Sequence, residues 1–250
     1  MTIVFIGAGN LATSFSAALQ HVGHSILQVY SRTDVSAHTL AMQLDCPYTT
    51  KWDDIRPDAD IYIYALSDTC YPLQTVAQGR GIHLLTSGSI SYTALQGAQH
   101  AGVFYPFQTF SKTRPLTDFS SIPVLIEASD SGTLNSLQKM AESLSAKAYV
   151  SNLDMRSRLH LAGVMANNFT NCLYALAEEQ LQQAGLPFEI LLPLIDETAA
   201  KVHILSPRQA QTGPARRADR IVIQKQLELL NDEKVRQLYC ILSDNIIHHA

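Results

Sequence analysis

Residues 3–12 read Ile3-Val4-Phe5-Ile6-Gly7-Ala8-Gly9-Asn10-Leu11-Ala12: four apolar residues, two glycines one residue apart, then a helix-forming run. The apolar run predicts a buried strand and Ala12 to His21 a helix, so the glycines occupy a strand-to-helix turn. Such a turn lets the backbone come close to a pyrophosphate, while the helix N-terminus offers free N–H groups and a partial positive charge. Gly7 and Gly9 fill the first two places of a G-x-G-x-x-A pattern, and Ala12 takes the third, where a small side chain lets the helix pack closely on the strand. With Asn10 and Leu11 they form the expected phosphate cradle of a dinucleotide. Glycines also serve ordinary turns, but this pair directly follows a buried strand inside a β-α-β unit, which is the context that marks the motif.

Outward from this turn the first half of the chain alternates. Strand-like runs recur at 24–32 (HSILQVYSR), 60–66 (DIYIYAL), 82–88 (IHLLTSG), 102–106 (GVFYP) and 123–128 (PVLIEA), and 35–44 (VSAHTLAMQL) is helical in pattern. Short strands alternating with helices predict an α/β fold, a doubly wound and mostly parallel Rossmann sheet over residues 1–150. From 151 to 250 almost everything reads as helix, giving a second, all-helical domain. There Leu159, Ala162, Met165, Phe169, Cys172 and Leu176 recur every three or four positions and mark one apolar face. The stretch 159–177 approaches membrane-spanning length but contains His160, Asn167, Asn168, Thr170 and Asn171, so it reads as a buried helix. Pro187 opens the next helix, and Pro193 marks a restart or kink.

A chain of 250 residues with 46% hydrophobic content has ample material for a core. Its net charge of −4, with 18 lysines and arginines spread evenly, provides no electrostatic footprint for nucleic acid. Cys46, Cys70, Cys172 and Cys240 are far apart and form no C-x-x-C pair, and the histidines show no ligand spacing, so no metal site is expected. The opening residues carry no basic leader, which predicts a cytoplasmic protein without a membrane partner.

The choice of dinucleotide rests on the end of the second strand, where an acid grips the ribose diol of NAD and an arginine accommodates the 2′-phosphate of NADP. Ser31-Arg32-Thr33 stands there, and no Asp or Glu precedes Asp34. A guanidinium flanked by two hydroxyls suits a phosphate dianion, so NADP is expected. The alternative is a solvated arginine on a loop. Ligands in open parallel sheets lie beyond the carboxyl ends of the strands, which places Ala65, Leu66 and Ser67 after one strand and Ser87 and Gly88 after the next beside the ribose and nicotinamide. Ordinary turn residues would look the same.

IVFIGAGNLA, YSRT and TSGS, followed by a helical second half, resemble the superfamily of pyrroline-5-carboxylate reductase, the β-hydroxyacid dehydrogenases and prephenate dehydrogenase. HLAGVMANNF and TGPARRAD resemble more closely a bacterial group of Rossmann-like NADP oxidoreductases whose second domain has no assigned function. The resemblance covers nearly the whole chain and implies NADP, a reaction in a cleft between the two domains, and a homodimer through the helical domain. It fails at one catalytic position. β-Hydroxyacid dehydrogenases carry a lysine one turn before an asparagine on the first long helix of the second domain, whereas here Gly163 and Val164 precede Asn167 and Asn168, and residues 148–200 hold no lysine. The subgroup's His-Pro after the sixth strand is replaced by Tyr105-Pro106.

At about 100° per residue, His160, Asn167 and Asn171 fall within roughly 40° of one another on an ideal helix. His160 is the candidate proton donor to a reduced C=O or C=N group, with Asn167 beside it and Asn171 on the substrate side. A packed histidine with two solvated asparagines is the structural alternative. In TGPARRAD, Arg217 is the candidate ligand of a substrate carboxylate, with Thr212 and Gly213 shaping its pocket and Asp219 capping the next helix; alternatively Arg217 pairs with Asp219. Tyr105 lines one wall. Together these residues predict an NADPH-dependent reductase of a small anionic substrate. The competing prediction is an NADP-binding sensor that kept the cradle and lost the chemistry.

Overall fold

The computed structural model describes residues 1–72 and 75–249. Its strands are β1 (Thr2–Ile6), β2 (Ser25–Tyr30), β3 (Tyr48–Thr49), β4 (Ile61–Tyr64), β5 (Ile82–Leu85), β6 (Ala101–Pro106), β7 (Val124–Ala128) and β8 (Ala148–Val150). They form one eight-stranded sheet in the order β3-β2-β1-β4-β5-β6-β7-β8. Paired neighbours run parallel except β6 and β7, which are antiparallel with Gly102 opposite Ala128 and Pro106 opposite Val124. The sheet is the mostly parallel, Rossmann-like one expected from the sequence.

Alternating side chains of the strands supply two cores. Ile3, Phe5, Ile63, Leu84 and Phe104 face one side with residues of α1 (Asn10–His21), α2 (Asp34–Leu44) and α3 (Ser131–Ser143). Phe15 of α1 anchors this layer, stacked 5.2 Å from Phe104 and 5.5 Å from Phe119 and edge-on to Phe5 at 5.9 Å. Val4, Ile6, Tyr62, Tyr64, Leu85 and Val103 face the other side, where loop residues Ile55, Ala59, Ala77 and Leu95 cover them. The described residues of the β4–β5 and β5–β6 connections contain single 3-10 turns, Asp68–Cys70 and Tyr92–Ala94, in place of crossover helices.

The strands stop earlier at their carboxyl ends than the apolar runs do. β4 ends at Tyr64 and β5 at Leu85, so Ala65–Ser67 and Thr86–Gly88 leave the ladder as loops at the sheet edge. The order of strands reverses between β1 and β4, and this is where an open α/β sheet offers a crevice.

Beyond the sheet, α4 (Leu153–Gly163) begins at Asn152, whose side chain accepts the Met155 N–H at 2.9 Å. A single π-helical turn, Val164–Phe169, joins it to α5 (Thr170–Gln183). A 3-10 turn at Phe188–Leu191 precedes α6 (Leu192–Lys201), and Pro193 lies in its first turn, where the missing N–H costs nothing. Then come α7 (Pro207–Ala210), α8 (Arg220–Leu229) and α9 (Glu233–His249). Asp219 caps α8 by accepting the Val222 N–H at 3.2 Å.

The chain divides into two compact units, Met1–Asn167 and Asn168–Ala250. The first contains the sheet and α4. In the second, Ala215 and Ser243 are the buried residues among those described. Phe169 is 57% exposed and Ile204 84%, and Ile190, Leu194, Ile221, Leu229 and Ile241 are also largely exposed. The helix expected to be buried over 159–177 is therefore open along much of its length in a single chain, with Leu161 and Met165 exposed as well.

Candidate functional site

The cradle forms at the carboxyl end of β1. Gly7 has φ +113°, and a Cβ there would overlap the Ala65 carbonyl oxygen, so this position admits only glycine where β1 and β4 converge. Backbone bonds fix the turn, from Gly7 N–H to Tyr30 O of β2 at 2.8 Å and from Ala65 N–H after β4 to Ile6 O at 2.9 Å. Gly9 differs: a Cβ would meet nothing within 4 Å. Gly9 is the N-cap of α1 and bears no capping side chain, and Gly9 and Asn10 are exposed. Free N–H groups over open space suit a pyrophosphate, and half-buried Leu11 flanks them while Ala12 is fully buried against the sheet.

Beyond β2, Ser31 is held by its N–H to Thr49 O at 3.2 Å, while Arg32 and Thr33 are exposed. Arg32 makes no hydrogen bond or ion pair among the described residues, so its guanidinium is available to a ligand. Nearby Asp34 faces the Tyr48 hydroxyl and raises its pKa by accepting that proton in a hydrogen bond. The donor set fits a dinucleotide bearing a 2′-phosphate.

Three further strand ends assemble beside the cradle. After β4, Ser67 Oγ lies 3.1 Å from Thr69 Oγ1 and 3.4 Å from Cys70 Sγ. After β5, the Ser87 hydroxyl accepts the N–H groups of Ser89 at 3.1 Å and Ile90 at 3.2 Å, and the Ser89 hydroxyl donates to the Asp68 carboxylate. Gly88 backs onto the ring of Tyr105 from β6, where a Cβ would stand 2.8 Å from Cζ. Tyr105 Oη in turn lies 3.0 Å from His160 Nδ1 on α4. Burial, and secondarily the Asp68 charge, hold the Tyr105 phenol above the ordinary tyrosine pKa.

Of the two positions where the lysine would stand, 164 holds a valine and 163 a glycine. Gly163 packs on Phe107, and a Cβ there would lie 2.8 Å from Phe107 Cε2. A longer side chain at 163 would require the Phe107 ring to move. That close approach also brings His160, one turn earlier, over Tyr105.

Of the other residues singled out in the sequence, Asn167 lies in the π turn, in the first unit, and Asn171 on α5, in the second. The ideal-helix angle does not carry across them, because a π turn takes i→i+5 bonds and rotates successive side chains by less than 100°. Thr212 and Gly213 precede the 3-10 turn Ala215–Arg217; Arg217 is exposed and forms no ion pair with Asp219, which instead caps α8. The sequence reading missed the Asp68–Ser89 bond, the Phe107–Gly163 contact and a buried arginine, Arg156. Nothing local distinguishes Arg156 from exposed Arg158 two residues on.

A family model described as a domain of unknown function, DUF2520, matches residues 122–246. A candidate NADP oxidoreductase of known structure from Bacteroides fragilis is 44% identical, with 99% of this chain and 98% of that one covered, at a TM-score of 0.94. Two more distant structures share the fold. A 1-pyrroline-5-carboxylate reductase from Streptococcus pyogenes is 13% identical over 99% of this chain and 98% of its own, with a TM-score of 0.64. An imine reductase from Myxococcus stipitatus, in complex with NADP+, is 17% identical over 99% and 92%, with a TM-score of 0.58. No curated protein matches the sequence. With a family model spanning half its length and a relative 44% identical end to end, the chain belongs to the DUF2520 family.

Proposed function

We propose that this protein is an NADP(H)-dependent oxidoreductase that reduces a C=O or C=N group of a small anionic substrate. The carrying observation is the Tyr105–His160 hydrogen bond at the carboxyl edge of the sheet, where Asp68, Ser89 and Gly88 also gather. The likeness to the candidate NADP oxidoreductase from Bacteroides fragilis supports the cofactor class. Gly7, Gly9, Asn10 and Leu11 hold the pyrophosphate, and Ser31, Arg32 and Thr33 hold the 2′-phosphate. Ala65, Leu66, Ser67, Ser87 and Gly88 border the ribose and nicotinamide.

A nicotinamide held there would supply the hydride, and the reduced oxygen or nitrogen would need a proton from the protein. The Tyr105 phenol is protonated at neutral pH, as an ordinary tyrosine is, and it stands at a strand end bonded to His160, so Tyr105 is the group that donates. His160 is exposed and bonded to that hydroxyl, which connects it to bulk water and lets the imidazole replace the proton. Tyr105 thus takes a more direct role than a wall residue, and His160 acts through it. Asn167 orients the substrate. Asn171, Thr212, Gly213 and Arg217 are proposed as substrate-side groups on their chemistry, Arg217 as the carboxylate ligand.

A homodimer through the helical unit belongs to the same proposal. A unit of this size whose apolar side chains are mostly exposed leaves its core to be completed by a second copy. Widely spaced free thiols are consistent with a reducing cytoplasm.

The test is a fluorescence titration with NADPH and NADH, followed by a screen of carbonyl and imine acids for NADPH oxidation. Tight NADPH binding with turnover of one acid is the expected result. Binding without turnover across the screen would point to a sensor, and no binding would end the oxidoreductase reading.

A further inference from the structure

Arg156 is 0% exposed and has the largest side chain among the fully buried described residues. Its Nη1 pairs with Glu127 of β7, its Nη2 donates to the Ile90 carbonyl at 3.1 Å, and its Nε has no partner among the described residues. A buried ion pair is a poor stabiliser, since a well-packed apolar side chain of similar volume is often as good or better. An orphaned Nε adds a further desolvation cost. Stability does not account for an arginine here; what its connections hold does.

Those connections run to both sides of the Tyr105–His160 bond. Arg156 precedes His160 by four residues on α4, so both side chains project from one helical face. Ile90 ends the loop Ser87–Ile90, whose Gly88 backs the Tyr105 ring and whose Ser89 binds Asp68. Glu127 fixes the guanidinium to the sheet. One side chain therefore sets the rotation of the helix that carries His160 and the seating of the loop that supports Tyr105.

We infer that Arg156 is a positioning residue that holds Tyr105 and His160 in register, acting from behind the pair without touching substrate or cofactor. The inference rests on the proposed proton-delivering role of that pair. It explains why a buried charge with an unmet donor stands at this place in the helix.

The test reads the pair itself and needs no substrate. Protein labelled with 15N-histidine, its His160 resonances assigned through His160→Gln, reports whether Tyr105→Phe changes the imidazole 15N shifts. In the parent protein that change is expected. In Arg156→Met, folded by circular dichroism, Tyr105→Phe should leave the His160 shifts unmoved, because the pair has already separated. Arg156→Lys keeps the charge toward Glu127 but loses the forked reach to Ile90, so it should restore only part of the response. If Tyr105→Phe moves His160 in folded Arg156→Met as much as in the parent, the inference is overturned. Should Arg156→Met fail to fold, Glu127→Gln is read by the same criterion. Failure to bind NADPH would defeat the functional proposal while leaving this titration-independent readout intact, so the two failures are separable.

Discussion

The Tyr105 hydroxyl lies 3.0 Å from Nδ1 of His160, although 55 residues separate the two in sequence. One belongs to a strand end and the other to a helix beyond the sheet, and a glycine seated on Phe107 lets them meet. Removing the hydroxyl tests its role directly. Tyr105→Phe should bind NADPH as the parent does and slow turnover of a reducible substrate by about 10²- to 10⁴-fold, the range for a lost general acid. Single-turnover kinetics would check it, and an unchanged rate would remove Tyr105 from the chemistry.

Arg32→Ala should weaken NADPH binding by about 1.5–3 kcal/mol, the scale of hydrogen bonds to a charged group, and leave NADH binding nearly unchanged. Fluorescence titrations with both cofactors decide this. Equal losses for the two would show that Arg32 does not read the 2′-phosphate.

The two cradle glycines should respond in opposite ways. Gly7→Ala forces a side chain into a left-handed backbone and onto the Ala65 carbonyl, so it should destabilise the fold by about 1–3 kcal/mol or more. At Gly9 the space is open, so Gly9→Ala should melt like the parent yet bind NADPH about tenfold or more weakly, because its methyl stands where a phosphate approaches. Thermal melts paired with cofactor titrations separate the cases.

Sedimentation velocity should find a dimer, and Ile204→Asp or Phe169→Asp should shift it toward monomer and lower the melting temperature. A stable interface buries about 1,200–2,000 Å², and the exposed apolar side chains of the helical unit offer the material for one. A parent protein that is monomeric at micromolar concentration, with both variants equally stable, would contradict the homodimer.

His83 gives the fold a pH dependence. It is buried on the central strand β5, bonded to the Tyr64 hydroxyl at 2.9 Å and stacked 4.8 Å from Tyr62, and burial lowers its pKa below 6.5. Below 6.5 the unfolded chain takes up this proton before the folded one does, so the contribution of His83 to stability falls as pH drops through that value. Denaturation midpoints measured on both sides of 6.5 should show the loss, and His83→Phe should flatten the profile.

The sequence by itself determined the sheet and its cradle, because both depend on local pattern. Ile3-Val4-Phe5-Ile6 followed by Gly7 and Gly9 specifies a buried strand and a turn that at Gly7 only glycine can make, and the alternating runs after it specify a mostly parallel α/β sheet. The Asp219 cap and the restart at Pro193 were equally legible, since each acts within a few residues of its own position. The tertiary structure alone decided the relations that span the chain. The π turn at Val164–Phe169 broke a register that an ideal helix would have kept. Phe107 came to pack on Gly163, and Tyr105 became a partner of His160 instead of a wall. Arg156 and Arg158 read alike in sequence, yet one is sealed between β7 and the loop after β5 while the other pairs with Asp154 at the surface. A side chain's local neighbours fix its helix or strand. Which distant side chains it meets depends on how those elements stack.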